Sequence, residues 1–561
     1  MSNQSKEITP VLAMYNIRSK QKFIYETNKI KEIVGASQII TDVFNDYLYD
    51  DNIYISKEKF SYDAMQLRLG CKQNKDEHTE KVYHGEVVYE GGGNLFMVYQ
   101  NNEVFVSYNK IFCKKLLENT NGLTPLFACV PISENYVKDQ KQLMEICDRL
   151  KKQETPLHTA NTLPFVLMDR NVWKPITKKE AKNEFTTGSS AKITKYAQVE
   201  KKTKLARNKI QGGEHGKVVE MDKVRLEEEL CTEEIHNVQL LDELCTEKGR
   251  ESLLAVVYID GNNMGNKFAS ILKGKTDYDS CINTLREKSG EVDGVFVTEG
   301  NKAVKNKLIH EKQNVDEKWK HVFAWRSIVG GGDEITFICN ARCALTLTKA
   351  YLKSVQETGQ GDYSSCAGIA IFHSHYPFAK AYKVAEQCCE QAKNKLRDDF
   401  RKGRELCGID FHYIHSSVQE DIEEIRKHQY TYHWEREAKE NSFVARPYVF
   451  GETVSDMQAT MPNFTQLEKV VDILKLHKVA HSVIKELGVE IGNSAVSAKK
   501  TLLRVFSQES GLQNHLEHIE EDQEKLLALL FDISELYDLW FTELPGQKKR
   551  LEKGERSDGL S

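Results

Sequence analysis

LLAVVYIDGNNMG (253–265) and SIVGGGDEITFI (327–338) decide the fold of this chain. The first stretch is an apolar run that ends at Asp260, and the second is a strand pattern interrupted by a glycine triplet that precedes Asp333 and Glu334. Short apolar runs on either side of a glycine turn predict a β-hairpin. Antiparallel pairing of these strands is expected to bring the three carboxylates together at one end of a sheet.

Carboxylates grouped in this way predict a cation site. Like charges repel unless a cation neutralises them, and Mg²⁺ prefers oxygen ligands together with substrate phosphates. We therefore predict that the catalytic residues and the ligands of Mg²⁺ (or Mn²⁺) are Asp260, Asp333 and Glu334. Glycines without Cβ atoms let a triphosphate approach the backbone. The predicted nucleotide-binding neighbours are Gly261, Asn262, Asn263, Gly331 and Gly332.

A similar order of strands and helices occurs earlier in the chain. The glycine triplets begin at Gly91 and Gly330, and Ala128 and Ala367 each follow their triplet's first glycine by 37 residues, inside the next strand pattern. Equal offsets between matching elements indicate a duplicated βαββαβ module. We predict an α+β fold with two ferredoxin-like domains, each an antiparallel sheet covered by helices.

The first copy lacks the acidic residues. Counting from the triplets places Asn94 where Asp333 stands, and Asn16 lies within one residue of the position that matches Asp260. A neutral amide cannot replace a carboxylate as an anionic ligand of Mg²⁺. The first copy is therefore predicted to be non-catalytic. Two roles stay open: its glycines Gly92 and Gly93 bind a second nucleotide, or the copy serves only to pack against its twin.

Charge and helical patterns divide the remaining chain. Residues 174–217 carry 12 Lys and Arg against 4 Glu, whereas residues 220–251 carry 11 acidic against 4 basic residues. Beyond Pro462 the apolar residues recur at helical spacing. The predicted division is a first domain at 1–170, a charged segment at 171–250, a catalytic domain at 251–415 with an insertion at 271–325, a C-terminal helical bundle at 416–545 and a disordered tail at 546–561.

Composition excludes several classes of protein. With 40% hydrophobic and 29% charged residues and only 10 prolines, the chain is neither collagen-like nor disordered. The 13 cysteines include no CxxC pair, which argues against a structural zinc site. The polar start and the absence of any apolar run of about 18 residues predict a cytoplasmic protein with no membrane contact. A net charge of −5 leaves only a local basic patch, at 174–217, for nucleic acid, and an ordinary solvated surface explains that patch equally well.

Three segments carry a family resemblance. YIDGNNMG (258–265), VGGGDEI (329–335) and CAGIAIFHSHYPFAKAYKVAEQCCEQAK (366–393) resemble the catalytic palm of the large subunit of type III CRISPR effector complexes. VARPYVFGE (444–452) and the helical C-terminus are similar to that family as well. More distantly, GGDE followed by a helix that ends in the Ala392-Lys393 pair resembles the GGDEF-type diguanylate cyclases.

The resemblance implies an activity and a set of partners. It implies two palm domains and the conversion of ATP into cyclic oligoadenylate messengers in antiviral defence, when a complex of guide RNA, target RNA and other effector subunits forms. It also implies that Asp260, Asp333 and Glu334 are metal ligands and that Lys393 contacts nucleotide phosphates.

Departures from the family pattern narrow this expectation. The chain has no His-Asp dipeptide and starts at the first palm, so the HD nuclease domain of many members is not expected. The paired cysteines of the family's zinc-binding region are missing, and DGNN replaces the usual DGD-N, so that Asn262 stands in place of a carboxylate. A free-standing relative outside the CRISPR complex would have the same features. Two other functions stay open: a non-cyclising nucleotide polymerase, and an RNA-binding scaffold with an inactive palm.

The basic segment provides a first test. If residues 174–217 follow a phosphate backbone, neutralising Lys201, Lys202 and Lys204 together should weaken RNA binding and reduce its dependence on salt, because fewer counterions are released. Filter binding over a series of KCl concentrations measures both quantities. An unchanged salt slope would assign these lysines to ordinary surface.

Overall fold

The computed structural model describes residues 9–27, 30–55, 58–71, 81–91, 94–120, 123–153, 167–168, 175–179, 185–187, 190–193, 241–247, 249–415, 421–432, 441–451, 461–509 and 511–541. Two large sheets with helices packed against them confirm the predicted α+β class. Lys201, Lys202, Lys204 and the predicted tail at 546–561 lie outside the described residues. Within those residues, no helix has both the length and the apolar character that crossing a lipid bilayer requires.

The first sheet has the strand order β2-β3-β4-β1-β5. Strand β1 is central and pairs antiparallel with both β4 and β5. Alternate residues of β1 enter two different apolar clusters, so both faces of this sheet are covered. The strands are β1 Val11–Arg18, β2 Ile53–Tyr54, β3 Gly85–Gly91, β4 Asn94–Tyr99 and β5 Thr124–Pro131, and the helices are α1 Lys20–Ile24, α2 Ile30–Thr41, α3 Val43–Tyr47, α4 Tyr62–Arg68, α5 Asn102–Thr120 and α6 Tyr136–Lys152.

A short two-stranded sheet, β6 Ile176–Lys179 with β7 Phe185–Thr187, lies in the charged segment. The second large sheet follows, with the order β15-β12-β11-β8-β10-β9. Its strands are β8 Leu253–Gly261, β9 Trp325–Gly331, β10 Glu334–Asn340, β11 Ser365–His373, β12 Cys407–Tyr413 and, beyond the short pair β13 Thr431–Tyr432 and β14 Asn441–Ser442, β15 Tyr448–Phe450. Its helices are α7 Met264–Ile271, α8 Tyr278–Val292, α9 Gly300–Gln313, α10 Ala341–Thr358, α11 Phe378–Arg401 and α12 Ile422–Gln429.

Four strands of each sheet correspond. The order β3-β4-β1-β5 matches β9-β10-β8-β11, and the neighbouring strands pair antiparallel in both sets. The stretch 271–325, predicted as an insertion, forms α8, a π-helical turn at Asp293–Glu299 and α9. The connection between β1 and β3 in the first copy is also long and contains helices. A long helical connection is therefore a feature of both copies and not an insertion found in the second copy alone.

The register corrects the alignment of the two copies by one residue. Asn16 pairs with Asn94 as Asp260 pairs with Glu334, so Asn94 occupies the position of Glu334 and not that of Asp333. The same shift places Ala128 opposite Met14 where Gly368 lies opposite Tyr258. Counting from the triplets missed this shift because three consecutive glycines do not show in the sequence which glycine ends the strand and which begins the turn. The strand ends at the first glycine of the triplet in one copy and at the second glycine in the other.

Each copy covers the outer strand of the other copy's glycine hairpin. Helix α2 of the first copy packs on β9, where the Ser37 hydroxyl donates to the carbonyl of Ile328. Helix α8 of the second copy packs on β3, where the Arg286 guanidinium donates to the carbonyls of Val88 at 2.7 Å and Val87 at 3.0 Å. Neither hairpin therefore leaves its outer strand open to solvent along this contact.

Helix α11 packs directly on the second sheet because β11 contains a glycine. A Cβ atom at Gly368 would lie 1.9 Å from the Ala385 carbonyl oxygen and 2.4 Å from the Cys389 amide nitrogen. The apolar face of α11 is buried against β8, β11 and β12, as its helical spacing predicts. The close approach fixes the height of this long helix above the strands.

The chain beyond Pro462 is helical: α13 Phe464–Leu476, α14 His481–Asn493, α15 Ala495–Gln508, α16 Leu512–Ile519 and α17 Gln523–Leu536. A buried ion-pair network joins these helices to the second sheet. Arg446, in the VARPYVF segment, lies beside Asp532 and Glu535 of α17, and the Tyr448 hydroxyl donates to Asp532 at 2.6 Å. Breaking one partner of such a network leaves a charge buried without compensation.

The Gly368 contact generates a stability prediction. Gly368→Ala should lower the free energy of unfolding by more than about 2 kcal/mol. The added methyl group would clash with the backbone of α11, and no change of side-chain rotamer can relieve that clash. Gly290→Ala, in α8 with open space around the glycine, should leave stability equal or slightly higher, by up to about 1 kcal/mol. Urea unfolding of the two variants measures the difference. Equal stability for both would show that α11 moves freely over the sheet.

Candidate active site

The predicted carboxylates lie at one end of the second sheet. Asp260 is next to last in β8 and pairs across the ladder with Glu334, the first residue of β10. Asp333 is in the two-residue turn between Gly331 and Glu334, and Gly332 beside it has a φ of 64°, which glycine adopts without strain. The hairpin and the central strand β8 therefore bring the three side chains to the same end of the sheet.

Gly261 sets the distance between the central strand and the turn. Its amide donates to the carbonyl of Asp333 at 3.1 Å. A Cβ atom at this position would lie 2.7 Å from the Cβ of Asp333 and 2.9 Å from one of its carboxylate oxygens. Gly261 thus has a packing role at the site, in addition to the nucleotide contact predicted for it.

Burial and the crowding of the carboxylates raise two of their pKa values. Burial, followed by the neighbouring charge of Asp260, raises the pKa of Asp333 to about 6. Burial and the charges of Asp260 and Asp333 raise the pKa of Glu334 to about 7. Carboxylates whose pKa values are raised in this way gain from a bound cation, which stabilises their charged form.

Lys393 reaches this end of the sheet from α11. Its Nζ donates to Asp260 Oδ2 at 2.6 Å and to the Gly261 carbonyl at 2.7 Å. Burial lowers the pKa of Lys393, but the charge and hydrogen bond of Asp260 together with the neighbouring Cys389 and Cys366 outweigh burial, and the pKa is raised. A protonated lysine is therefore in contact with the catalytic strand, which agrees with its predicted phosphate-contacting role.

Glu386 is a fourth carboxylate that sequence reasoning missed. It lies on α11 two turns before Lys393, and its charge contributes to the raised pKa of Glu334. Glu386 and Lys393 are seven residues apart, a spacing that places both on one face of the helix. This spacing is the sequence signal from which the presence of Glu386 near the site could have been predicted. Burial raises the pKa of Glu386 as well.

The structure corrects the prediction for Asn262. Its side chain is fully buried and donates to the Ser364 hydroxyl at 2.9 Å and to the Leu406 carbonyl at 3.0 Å. It ties the loop after β8 to two neighbouring loops and does not face the open end of the sheet. The predicted nucleotide-binding residues Asn263, Gly331 and Gly332 are by contrast at least partly exposed, and Asn263 begins α7 with a φ of 56°.

The first copy has amides where the second has carboxylates. The Asn16 side-chain amide donates to Asn94 Oδ1 at 2.6 Å, across the same pair of strands. This neutral pair lies across the two strands without the charge repulsion that Asp260 and Glu334 have in the second copy. Gly92 and Gly93, predicted to bind a nucleotide, lie outside the described residues.

Comparison with known proteins identifies the second copy. Residues 253–401 match the family model "Cas10/Cmr2, second palm domain". This match confirms, over that segment, the predicted resemblance to the palm subunit of type III CRISPR effectors. No curated protein matches the chain.

Solved structures of Csm1 are similar to most of the chain. The Csm1–Csm4 cassette in complex with cA4 is 13% identical, with a TM-score of 0.45, over 95% of this chain and 70% of that one. The Csm1–Csm4 subcomplex of the type III-A CRISPR–Csm interference complex is 13% identical, with a TM-score of 0.41, over 94% and 70%. Csm1 from T. onnurineus is 12% identical, with a TM-score of 0.38, over 94% and 70%.

The oxygen donors at the acidic end of the second sheet fit a divalent metal ion that binds together with substrate. In the described part of the chain, no three acidic, histidine or cysteine side chains already form a closed ligand set. Mg²⁺ commonly takes only one or two carboxylates and completes its shell with water and substrate phosphates. The oxygen donors and the raised pKa values of Asp333 and Glu334 suit that kind of binding.

The raised pKa of Glu334 predicts that the metal-free protein is less stable at neutral pH than in mild acid. Because the pKa of Glu334 is higher in the folded state, the metal-free protein loses stability as pH rises from about 4.5 to about 7. In the absence of metal, Glu334→Gln should therefore raise the free energy of unfolding by about 3 kcal/mol at pH 8 and change it little at pH 4. Urea unfolding at both pH values measures this.

Glu287→Gln, an exposed change on α8, is the matched control and should have no effect at either pH. Destabilisation by Glu334→Gln at pH 8 would contradict the proposed crowding.

Proposed function

We propose that the chain is a metal-dependent nucleotidyltransferase that converts ATP into cyclic oligoadenylates in type III CRISPR-like antiviral defence. The observation that carries this proposal is the pairing of Asp260 with Glu334, with Asp333 in the adjoining glycine turn, inside the segment that matches the Cas10/Cmr2 second palm. We also propose that both large sheets are ferredoxin-like palms and that the helices beyond Pro462 form a C-terminal helical bundle.

The chemistry is transfer of a nucleotidyl group. The 3′ hydroxyl of one nucleotide attacks the α-phosphate of another, a P–O bond forms, and the bond to pyrophosphate breaks. Asp260, Asp333 and Glu334 would hold Mg²⁺, which when bound stabilises the attacking oxygen and the leaving pyrophosphate. Attack by the 3′-terminal hydroxyl of the oligonucleotide on its own 5′ α-phosphate closes the ring and releases a further pyrophosphate, and the proton of each attacking hydroxyl passes to solvent.

The chain's own residues orient the substrate. The exposed glycines of the β9–β10 turn let phosphates approach the backbone, and Lys393 places a positive charge beside Asp260. The Lys393 ammonium group, which donates to Asp260 Oδ2, would be within reach of a phosphate oxygen of a nucleotide held at this end of the sheet. Gly368 supports this geometry because it sets how closely α11 approaches the sheet.

The first copy acts as a partner in this proposal. Its Asn16–Asn94 pair has no anionic oxygen to offer a metal. We propose that its glycine turn faces the second nucleotide, and that a guide–target RNA duplex and other effector subunits control the reaction, as the family resemblance implies.

Activity assays on two variants test the assignment. Asp333→Asn should reduce product formation from saturating ATP and Mg²⁺ by at least about a hundredfold, because stabilisation of the reacting phosphate is lost while folding is retained. Asn94→Ala should keep the rate within a few fold. Chromatography of labelled products, with and without RNA, separates cyclic products from linear ones, and thermal melts confirm folding.

Near-normal activity of Asp333→Asn would refute the catalytic assignment. Linear products alone would favour the non-cyclising polymerase, and RNA binding without any product would favour the scaffold with an inactive palm.

A further inference from the structure

A chain of hydrogen bonds continues from the buried Asn262 side chain to a nearby ion pair. The Ser364 hydroxyl, which accepts from Asn262, donates to Glu405 Oε2 at 2.6 Å. Glu405 Oε1 lies 2.9 Å from the Nζ of Lys267, and that ammonium group also donates to the carbonyl of Asp362. Asn262, Ser364, Glu405 and Lys267 therefore form one connected set, the Asn262 network.

The Asn262 network joins three loops at the catalytic end of the second sheet. Asn262 follows β8, Ser364 precedes β11, and Glu405 precedes β12. Because β11 is antiparallel to β8 and parallel to β12, all three loops lie at the end that carries Asp260. Asn262 and Ser364 are fully buried, and the side chains of Lys267 and Glu405 are only 18% and 17% exposed. Salt in the solvent screens such a shielded ion pair much less than an exposed one.

The same loops fix the peptide group between Gly261 and Asn262. The carbonyl of Gly261 accepts from Lys393 Nζ at 2.7 Å, and the amide of Asn262 donates to the carbonyl of Ser364 at 2.9 Å. Both groups belong to one planar peptide unit, so a rotation of that unit would break both bonds. The Lys393 ammonium group also donates to Asp260 Oδ2 at 2.6 Å. The orientation of this peptide therefore determines where the lysine lies beside the catalytic carboxylate.

Residue 262 has to supply two hydrogen-bond donors in this arrangement. The Leu406 carbonyl can only accept, and the Ser364 hydroxyl uses its single hydrogen for Glu405. The side-chain amide of asparagine has two N–H groups, whereas an ionised aspartate has none. An aspartate here would also add a buried negative charge one hydroxyl group away from Glu405. The network therefore accounts for the amide in the sequence DGNN.

We propose that Asn262 is a positioning residue of the second copy's active site, acting through Ser364 and Glu405. It holds the peptide that places the Lys393 ammonium group beside the phosphate of the substrate. This inference rests on the proposed nucleotidyl transfer. It gives Asn262 no contact with the nucleotide, in contrast to the role that the sequence pattern predicts.

The test measures kcat and KM for ATP in variants of the full chain. Ser364→Ala removes the hydroxyl group that joins Asn262 to Glu405. It should lower kcat about tenfold and change KM less than about threefold, because substrate still binds but the reacting groups are aligned less often. Asn262→Asp, which has the same shape but no donors, should lower kcat by about a hundredfold.

Hydrogen exchange measured by mass spectrometry tests the peptide without any turnover. Peptides that contain residues 259–263 should exchange faster in Ser364→Ala than in wild type, because the loop opens more often. Asp398→Asn is the control, since it breaks an exposed ion pair with Arg401 at the end of α11. It should keep kcat, KM and the exchange of 259–263 at wild-type values.

Wild-type kcat and wild-type exchange in Ser364→Ala would overturn the proposal. A rise in KM at constant kcat would overturn it as well, because the network would then serve only substrate binding. The outcome is separable from the proposed function. A wild-type chain that makes no product from ATP refutes nucleotidyl transfer, whereas faster exchange of 259–263 in Ser364→Ala still supports the hold on the peptide, and unchanged exchange overturns it.

A further variant covers the case in which Ser364→Ala does not fold. Glu405→Gln keeps an acceptor for the Ser364 hydroxyl and removes the ion pair with Lys267. It should lower kcat by about threefold, less than Asn262→Asp does, because only the outer part of the network is weakened. Wild-type kcat together with wild-type exchange of 259–263 in Glu405→Gln would overturn the proposal.

Discussion

The pairing of β8 with β10 is the constraint on which the rest of the structure depends. Strand β8 is buried between β10 and β11, and its register determines that Asp260 lies opposite Glu334. A slip of one residue would turn every side chain of β8 to the other face of the sheet. Gly261 and Gly368 make this register compatible with a tight turn on one side and with α11 on the other.

Placing four carboxylates near one strand end costs free energy in the absence of metal, and the fold offsets part of that cost with lysines. Lys393 is held by Asp260, and Lys20 acts on Glu334 from the neighbouring copy. The first copy is therefore coupled to the second through charge as well as through packing.

The sequence allowed the α+β class, the βαββαβ order and the meeting of Asp260 with the glycine turn to be predicted, because strand periodicity and turn glycines are local signals. The one-residue offset of Asn94 was missed because a glycine triplet does not mark where pairing stops. The burial of Asn262 and the approach of Glu386 were missed for another reason. Both depend on loops and helices distant in sequence, such as the loop at Ser364 and the height of α11.

The reciprocal contact of α2 with β9 and of α8 with β3 is the arrangement of a two-fold symmetric dimer whose subunits have been joined in one chain. In a homodimer, a mutation in the site appears twice, so neither subunit can lose its acidic residues alone. Covalent fusion removes that restriction. Asn16 and Asn94 can then lie in one half where Asp260 and Glu334 lie in the other, so the two sheets carry different charges although they share one arrangement of strands.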